Sequence, residues 1–349
     1  MRTATIIPAT VMMLAAAAMG QTHAPWPADW NNWNDPALMV TVGDPGNAGE
    51  LSGAGAGGTG HNRICGQVDC TYKICTFEVT AGQYTAFLSA VAETDAYGLY
   101  NAGMANTTYG SGIARSGAPG SYVYSVDSDH VSRPANYVSW ADAARFANWL
   151  HNGRPRGPQG LATTEDGAYY LNGATSNAAL MAVTRKPGAT WAIPSEDEWY
   201  KAAYYKGGSI NAGYWDYPTA SNTAPGRDTA DASGNSANYL GQSPNLIDPD
   251  HYTTLAGEFQ NSPSPYGTFD QGGNVWEWNE SVQYGEYRGL RGGSAGSADY
   301  HLQAANRDDL DSPSLEAPAV GFRLVQVPEP GMMALLGIAG LAELRKRRK

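Results

Sequence analysis

The run Asp270-Gln-Gly-Gly-Asn-Val-Trp-Glu277 sets two carboxylates seven residues apart around a glycine pair. Glycine lets a chain turn tightly, and such a turn can aim backbone carbonyls and flanking carboxylates at one point. A hard cation such as calcium takes about six to eight oxygens of both kinds. The same residues also read as a glycine turn with Trp276 and Trp278 as core aromatics. A second group is His61-x3-Cys65-x4-Cys70-x4-Cys75. One imidazole and three thiols fit a tetrahedral zinc set, or, in an oxidising compartment, a single disulfide with one thiol left over. No cysteine follows Cys75. His130, His151, His251 and His301 are isolated along the chain, with no His-x3-His spacing, and nothing near Ser297 suggests a Ser/His/Asp constellation.

Composition narrows the options. The 349 residues carry a formal net charge of -11 with 16% charged residues, which excludes a general nucleic-acid binder held by phosphate contacts. Forty-two glycines, 21 tyrosines and 10 tryptophans exclude a coiled coil or helical bundle. Because both ends are basic, the body between them is more acidic than the whole, which again favours hard cations.

The two ends read as addresses. Residues 1–24 open with Arg2, run through an apolar stretch from Ile6 to Met19 and end in small residues, the pattern of a secretory signal peptide. The far end reads Pro328-Glu329-Pro330, then apolar residues from Gly331 to Leu344, then a basic cluster. As a helix that stretch would rise about 21 Å at ~1.5 Å per residue, short of the ~30 Å hydrocarbon core. It therefore suits transient inner-membrane tethering rather than a permanent anchor. The pattern resembles the PEP-CTERM sorting signal of Gram-negative bacteria, which implies an exosortase-type partner and a surface or extracellular destination.

Elements to position the chemical groups come next. Thr80-Ala-Gly-Gln83, Ser139-Trp-Ala-Asp142 and Ser195-Glu-Asp-Glu198 are capping-box sequences that predict three helix starts. The third helix should end near Gly207-Gly208. Strands are expected at 75–79, 122–126, 191–193 and 321–325. The glycine-dense segment 49–60 reads as loop or linker. Residues 1–24 are thus a signal peptide, 25–71 a Gly-rich extension, 72–326 the main domain and 327–349 the sorting signal. Much irregular chain must be held, by buried Trp and Tyr with hydrogen-bonding tips and by bound cations.

Five motifs occur in order: Tyr137-Val-Ser-Trp through Leu150, Ile193-Pro-Ser-Glu-Asp-Glu-Trp through Ala203, Gly272-Gly-Asn-Val-Trp-Glu-Trp278, Arg291-Gly-Gly-Ser294 and Gly321-Phe-Arg323. Together the region from Tyr72 to Val325 resembles the formylglycine-generating-enzyme (sulfatase-modifying factor) family. The resemblance implies an α+β fold related to C-type lectins, low in regular secondary structure and stabilised by calcium. It places one calcium site on Asp270, Gly273, Val275 and Glu277, and a second on Asn238, Tyr239, Asp250 and Tyr252, with Asp248 a rival for Asp250. The family enzyme holds copper(I) on two cysteines just after the Gly-Gly-Ser motif. Those positions fall here on Ser297 and Leu302, and soft copper(I) needs soft sulfur. Copper and formylglycine generation are therefore not expected, and no catalytic residue is assigned. The favoured reading is an exported, surface-sorted module of this fold that binds a glycan or peptide. The alternative is an enzyme of unknown, oxidoreductase-type chemistry that reuses the family pocket.

Overall fold

The computed structural model describes Trp33 and residues 35–327. The signal-peptide residues 1–24 and the sorting motif Pro328, Glu329 and Pro330 lie outside the described residues. Four helices form where hydroxyl caps stand: α1 (Ala81–Val91), α2 (Trp140–His151), α3 (Asn177–Met181) and α4 (Glu196–Tyr204). The three capping boxes read from sequence all close. Thr80, Ser139 and Ser195 accept the N3 amide, and Gln83, Asp142 and Glu198 reach back to the cap amide. Helix α3, capped by Ser176 alone, has no such reciprocal signal. Helix α4 ends at Tyr204 rather than at the glycines, because Tyr205 turns away to bridge Tyr214.

The strands are short. They are β1 (Met39–Val42), β2 (Glu50–Ser52), β3 (Arg63–Cys65), β4 (Tyr72–Cys75), β5 (Ile113–Ser116), β6 (Val123–Val126), β7 (Trp191–Ala192), β8 (Trp276–Gln283), β9 (Tyr287–Arg291), β10 (Asp308–Asp311), β11 (Val320–Gly321) and β12 (Val325–Gln326). They form one sheet ordered β1-β4-β12-β7, another ordered β10-β9-β8-β11, and two hairpins, β2-β3 and β5-β6. Here the structure departs from the sequence reading. The segment 49–60 holds β2 and a short 3-10 turn, and β1 pairs along β4 from Met39↔Cys75 to Val42↔Tyr72, so part of the Gly-rich extension is built into a sheet. Strand β8 is the longest of those described; Trp-Glu-Trp-Asn alternates apolar and polar, but Glu280-Ser281 breaks the alternation that reveals a strand.

The core lies between the two larger sheets and helices α1 and α2. Phe146 meets Phe87, Trp149, Phe322 and Trp33 in edge-on contacts, with ring centroids 5.1 to 5.8 Å apart. Buried indoles keep a polar partner where the backbone offers one, as Trp278 does by donating to the Val138 carbonyl at 2.8 Å. The long loops are fastened largely by arginine and asparagine. Arg145 holds Glu165 at 2.7 Å and the Ala174 carbonyl, while Asn148 donates to the carbonyls of Thr164 and Tyr169 and accepts from the Tyr169 amide. Arg63, Arg291 and Arg307 converge on Glu196 at the start of α4. Arg145, Asn148, Arg291 and Arg307 each also reach backbone carbonyls that loop geometry would otherwise leave unpaired.

The cysteines do not pair as expected. Cys65, Cys70 and Cys75 are all free thiols. Cys65 packs with Trp199 and Tyr200, whereas Cys75 sits at the end of β4 in the main core. The strands that carry them belong to different sheets, which explains why closeness in sequence does not become a disulfide.

Candidate functional site

Strand β8 pairs in parallel with β11 through Trp276↔Val320 and Glu277↔Gly321. That register brings Arg323, two residues beyond Gly321, against Glu277. Arg323 Nε donates to Glu277 Oε2 at 2.6 Å and Nη2 to Oε1 at 2.7 Å, both residues being almost fully buried. Trp199 Nε1 donates to the same Oε2 at 2.7 Å. The remaining guanidinium hydrogens go to the carbonyls of Cys75, Thr76 and Phe269. Glu277 thus accepts three hydrogen bonds, two of them from a protein cation that competes with a metal for the same oxygens, a pairing that the sequence spacing does not reveal.

Asp270, at the other end of the motif, is part-buried with its backbone in the left-handed region (φ 58°), and its Oδ2 accepts the Gly257 amide. Burial pushes its carboxyl up to about 6, against the lowering effect of the Gly257 bond and of Arg323. Glu78 lies close enough to Asp270 to feel its charge. Neither of its oxygens has a hydrogen-bond partner among the described residues, and burial first, then Asp270, pushes its carboxyl well up. Arg323 therefore compensates Glu277 fully and leaves two further carboxyls that favour their protonated forms. Val275 is buried, and Gly273 (φ 91°) sits against the Asn238 carbonyl, where a β-carbon would come within 2.1 Å.

That contact joins the two loops that the sequence treats as separate. Asn238 bridges Gly273, and its carbonyl accepts the Asn274 amide at 2.9 Å. The Asn274 side-chain oxygen receives the Thr254 amide, the Thr254 hydroxyl and Asn238 Nδ2. The Thr254 amide fixes which end of Asn274 is oxygen, and that in turn fixes the Asn238 amide. Asn238 Oδ1 is left buried with no donor. Asn238 Nδ2 also donates to the Tyr252 carbonyl at 3.4 Å. Asp248 is engaged by Arg133 at 2.8 Å and by His251 at 3.0 Å, whereas Asp250 is exposed and free of ion pairs among the described residues. The Tyr239 carbonyl accepts from Arg227 Nε. Asn238, Tyr252 and Asp250 therefore suit a hard cation better than Tyr239 does. No cluster of three or more His, Cys, Asp or Glu suited to a metal occurs among the described residues.

The histidines, isolated along the chain, are hydrogen-bonded in the fold: His130 to the Thr107 carbonyl, His151 to Thr190 and His251 to Asp248. His130 and His251 pack their rings 5.0 Å apart because the Arg133 to Asp248 pair folds the 248–254 loop back over the 129–133 turn. His301 stacks between Tyr300 and Trp276.

Beyond the Gly292-Gly293 turn, Ser297 and Leu302 face one spot. A β-carbon on Gly293 would lie 2.9 Å from Leu302 Cδ1 and 3.4 Å from Ser297 Cβ. Leu302 is fully buried beside Tyr217 and Tyr239. Ser297 Oγ accepts the Ser294 amide at 2.9 Å, Ser294 Oγ lies 3.0 Å from the Tyr252 hydroxyl, and that hydroxyl accepts the Gly296 amide. A chain of hydroxyls thus runs to Tyr252, whose ring lies 6.1 Å from that of Tyr109, itself about half exposed.

The sulfatase-modifying factor enzyme 1-like domain model matches residues 66–328. The chain belongs to that family. The PEP-CTERM protein-sorting motif matches residues 326–349, which supports an exported, cell-envelope-associated protein recognised by exosortase-type machinery. Among solved structures the chain is similar to CarF, at 21% identity and TM-score 0.50 over 83% of this chain and 98% of that one. It is also similar to Treponema denticola variable protein 1 (21% identity, TM-score 0.48, 83% and 95% covered) and to PvdO from Pseudomonas aeruginosa (20%, 0.47, 83% and 94%). No curated protein matches the chain.

This sulfatase-modifying factor domain has the α+β fold that the motifs imply, with few helices and several small sheets. Ser297 and Leu302, the positions that the resemblance assigns to the copper ligands, come together in space and carry a hydroxyl and an isobutyl group. Sequence reasoning missed the roles of Arg323 and Trp199 around Glu277 and of the Tyr252 hydroxyl. The Gly321-Phe-Arg323 motif was the available signal for the first of these, but only the parallel register assigns its partner.

Proposed function

We propose that this exported, surface-sorted domain is a non-catalytic binding module of the sulfatase-modifying factor fold, with a glycan or peptide as its ligand. The observation that carries the reading is the pairing of Ser297 with Leu302 at one point beneath the Gly293 turn. Neither side chain binds copper(I), and the hydroxyls of Ser294, Ser297 and Tyr252 that surround the spot are hydrogen-bonding groups. With Tyr109, half exposed and packed against the Tyr252 ring, they make a site suited to stacking against and hydrogen-bonding a polar ligand.

Calcium is proposed as a structural ion at the second loop only, held by Asn238, Tyr252 and Asp250, where a buried oxygen lacks a donor. The test of binding is a glycan and peptide array probed with the body of the protein in calcium, beside a Tyr109→Ala and Tyr252→Phe double variant. Selective binding that the double variant loses supports the proposal. Equal array profiles for the two proteins, or no selective binding, contradict it.

A further inference from the structure

A cleft of ≈ 350 Å³ opens between α3 and the turn that joins β8 to β9. Its wall includes Asn177 and Met181 of α3, Glu286 of the turn, Tyr287 of β9, and Ser312. That volume falls in the range of roughly 300 to 1,000 Å³ typical of small-molecule sites. None of these residues belongs to the group around Ser297.

The chain fixes the walls. Asn177 and Met181, four residues apart, share one face of α3, while Leu180 is buried. Arg288 donates to the carbonyls of Leu180 and Val183 and so ties the end of α3 to β9. Successive strand residues point to opposite faces; with Arg288 buried on one face, Tyr287 presents its half-buried ring to the cleft on the other. The turn is tight, since Tyr284 (φ 52°) and Gly285 (φ 75°) are both left-handed and the Glu286 amide closes on the Gln283 carbonyl at 3.0 Å. Across the cleft, the Ser314 hydroxyl donates to Asn177 Oδ1 at 2.6 Å and lies 3.4 Å from the Ser312 hydroxyl, which fastens this segment to α3.

The groups left over are accessible. Asn177 and Glu286 are exposed, and Met181, Tyr287 and Ser312 are partly so. Asn177 Nδ2, the Glu286 carboxylate and the Tyr287 hydroxyl have no hydrogen-bond or ion-pair partner among the described residues. The first only donates, the second only accepts, and the third does both. A cation would use the acceptors alone and an anion the donors alone. Sugar hydroxyls donate and accept, so neighbouring hydroxyls of one ring can meet the amide and the carboxylate together, the bonds to the carboxylate being the stronger. The Tyr287 ring and Met181 supply the apolar surface that suits the C-H face of such a ring.

We propose that this cleft binds a neutral pyranose unit of a glycan, with Tyr287 as its platform, Glu286 as acceptor and Asn177 Nδ2 as donor. The site is separate from the Ser297 group and stands whether or not that group binds a ligand.

The experiment labels the methionine methyls of the protein with ¹³C and titrates in, one at a time, the methyl glycosides of glucose, galactose, mannose and N-acetylglucosamine. The Met181 methyl signal, assigned by its loss in Met181→Leu, reports the cleft. At least one glycoside should shift it saturably, and Glu286→Ala and Tyr287→Leu should each weaken that binding at least tenfold. The methyl of Met104, a fully buried residue, checks that each variant is folded. No saturable Met181 shift with any of the four overturns the proposal, as does a midpoint that either folded variant leaves unchanged. A Met181 shift with tetramethylammonium chloride but with no glycoside would make the cleft a cation site and overturn it equally.

Discussion

The Gly272-Gly273 turn has a closed side and an open side. On the closed side, Glu277 is saturated by Arg323 and Trp199, and Arg323 spends its other hydrogens on three carbonyls. On the open side, Asn238 shows an oxygen without a donor among the described residues, Asp250 is exposed, and the buried hydroxyls of Ser294 and Ser297 are linked to one another and to Tyr252. Both sides come from oxygen-rich motifs that a cation could use. The difference is that a guanidinium supplied by β11 reaches only one of them. Spacing of acidic residues therefore shows where a cation is wanted, while the strand register decides whether the protein itself supplies it.

Breaking the closed side should cost most. Glu277→Ala leaves Arg323 buried and unpaired, a loss of about 3 to 5 kcal/mol, and urea unfolding should give the same loss in calcium and in chelator. A loss confined to calcium-containing buffer would return Glu277 to the role of metal ligand.

The start of α4, which carries Trp199 to Glu277, provides the next test. Burial alone would raise the Glu196 carboxyl, but Arg291, Arg307 and Arg63 outweigh it and hold the group at about 2. A depressed folded value stabilises above the unfolded value near 4.5 and loses that stabilisation as pH falls from there toward 2. The contribution is on the order of 3 kcal/mol. Glu196→Gln should lower stability at pH 7 and flatten the acid limb of the stability profile. An acid limb that keeps its slope in the variant would assign the transition to other carboxyls.

The open side is tested by calcium. A ligand bound only by the folded state stabilises by about 2.7 kcal/mol at a hundredfold excess over Kd. Thermal melts should show this gain in the wild type and most of it lost in Asp250→Asn, with equal midpoints for the two proteins in chelator. Wild-type midpoints that ignore calcium at equal ionic strength would leave the Asn238 oxygen to water.

The smallest effect concerns the thiols. Burial pushes the Cys75 thiol up to about 12, and its carbonyl is clamped by Arg323, whereas Cys70 is only partly buried. A thiol reagent at pH 8 should label Cys70 first and reach Cys75 only on unfolding. Glu277→Ala, by loosening the closed side, should hasten Cys75 labelling.

Local chemistry made the helices legible. Thr80, Ser139 and Ser195 each announce a helix through a reciprocal side chain three residues on, and all three boxes close. Strands shorter than five residues hold too little alternation to be read, so β1 and β2 vanish into glycine-rich sequence and β8 hides behind its tryptophans. The candidate site was legible as a set of loops, because the motif order identifies them. Its finish was not, since Arg323 reaches Glu277, and Asn238 reaches Asn274, only through pairing between distant segments. The thiols teach the same lesson. Three cysteines within eleven residues suggest a disulfide, but Cys65 and Cys75 are drawn into different cores by the sheets that carry them.

The central claim is that the family's copper centre has been replaced by Ser297 and Leu302 on the open side. It is tested most directly by incubating the wild-type body with copper(I), oxygen, a reductant and a peptide carrying Cys-x-Pro-x-Arg, then weighing the peptide by mass spectrometry. The account predicts an unchanged peptide mass, with Ser297→Cys/Leu302→Cys as the companion that tests whether two thiolates at these positions gain copper(I) affinity. Formylglycine formed by the wild type would contradict the claim outright.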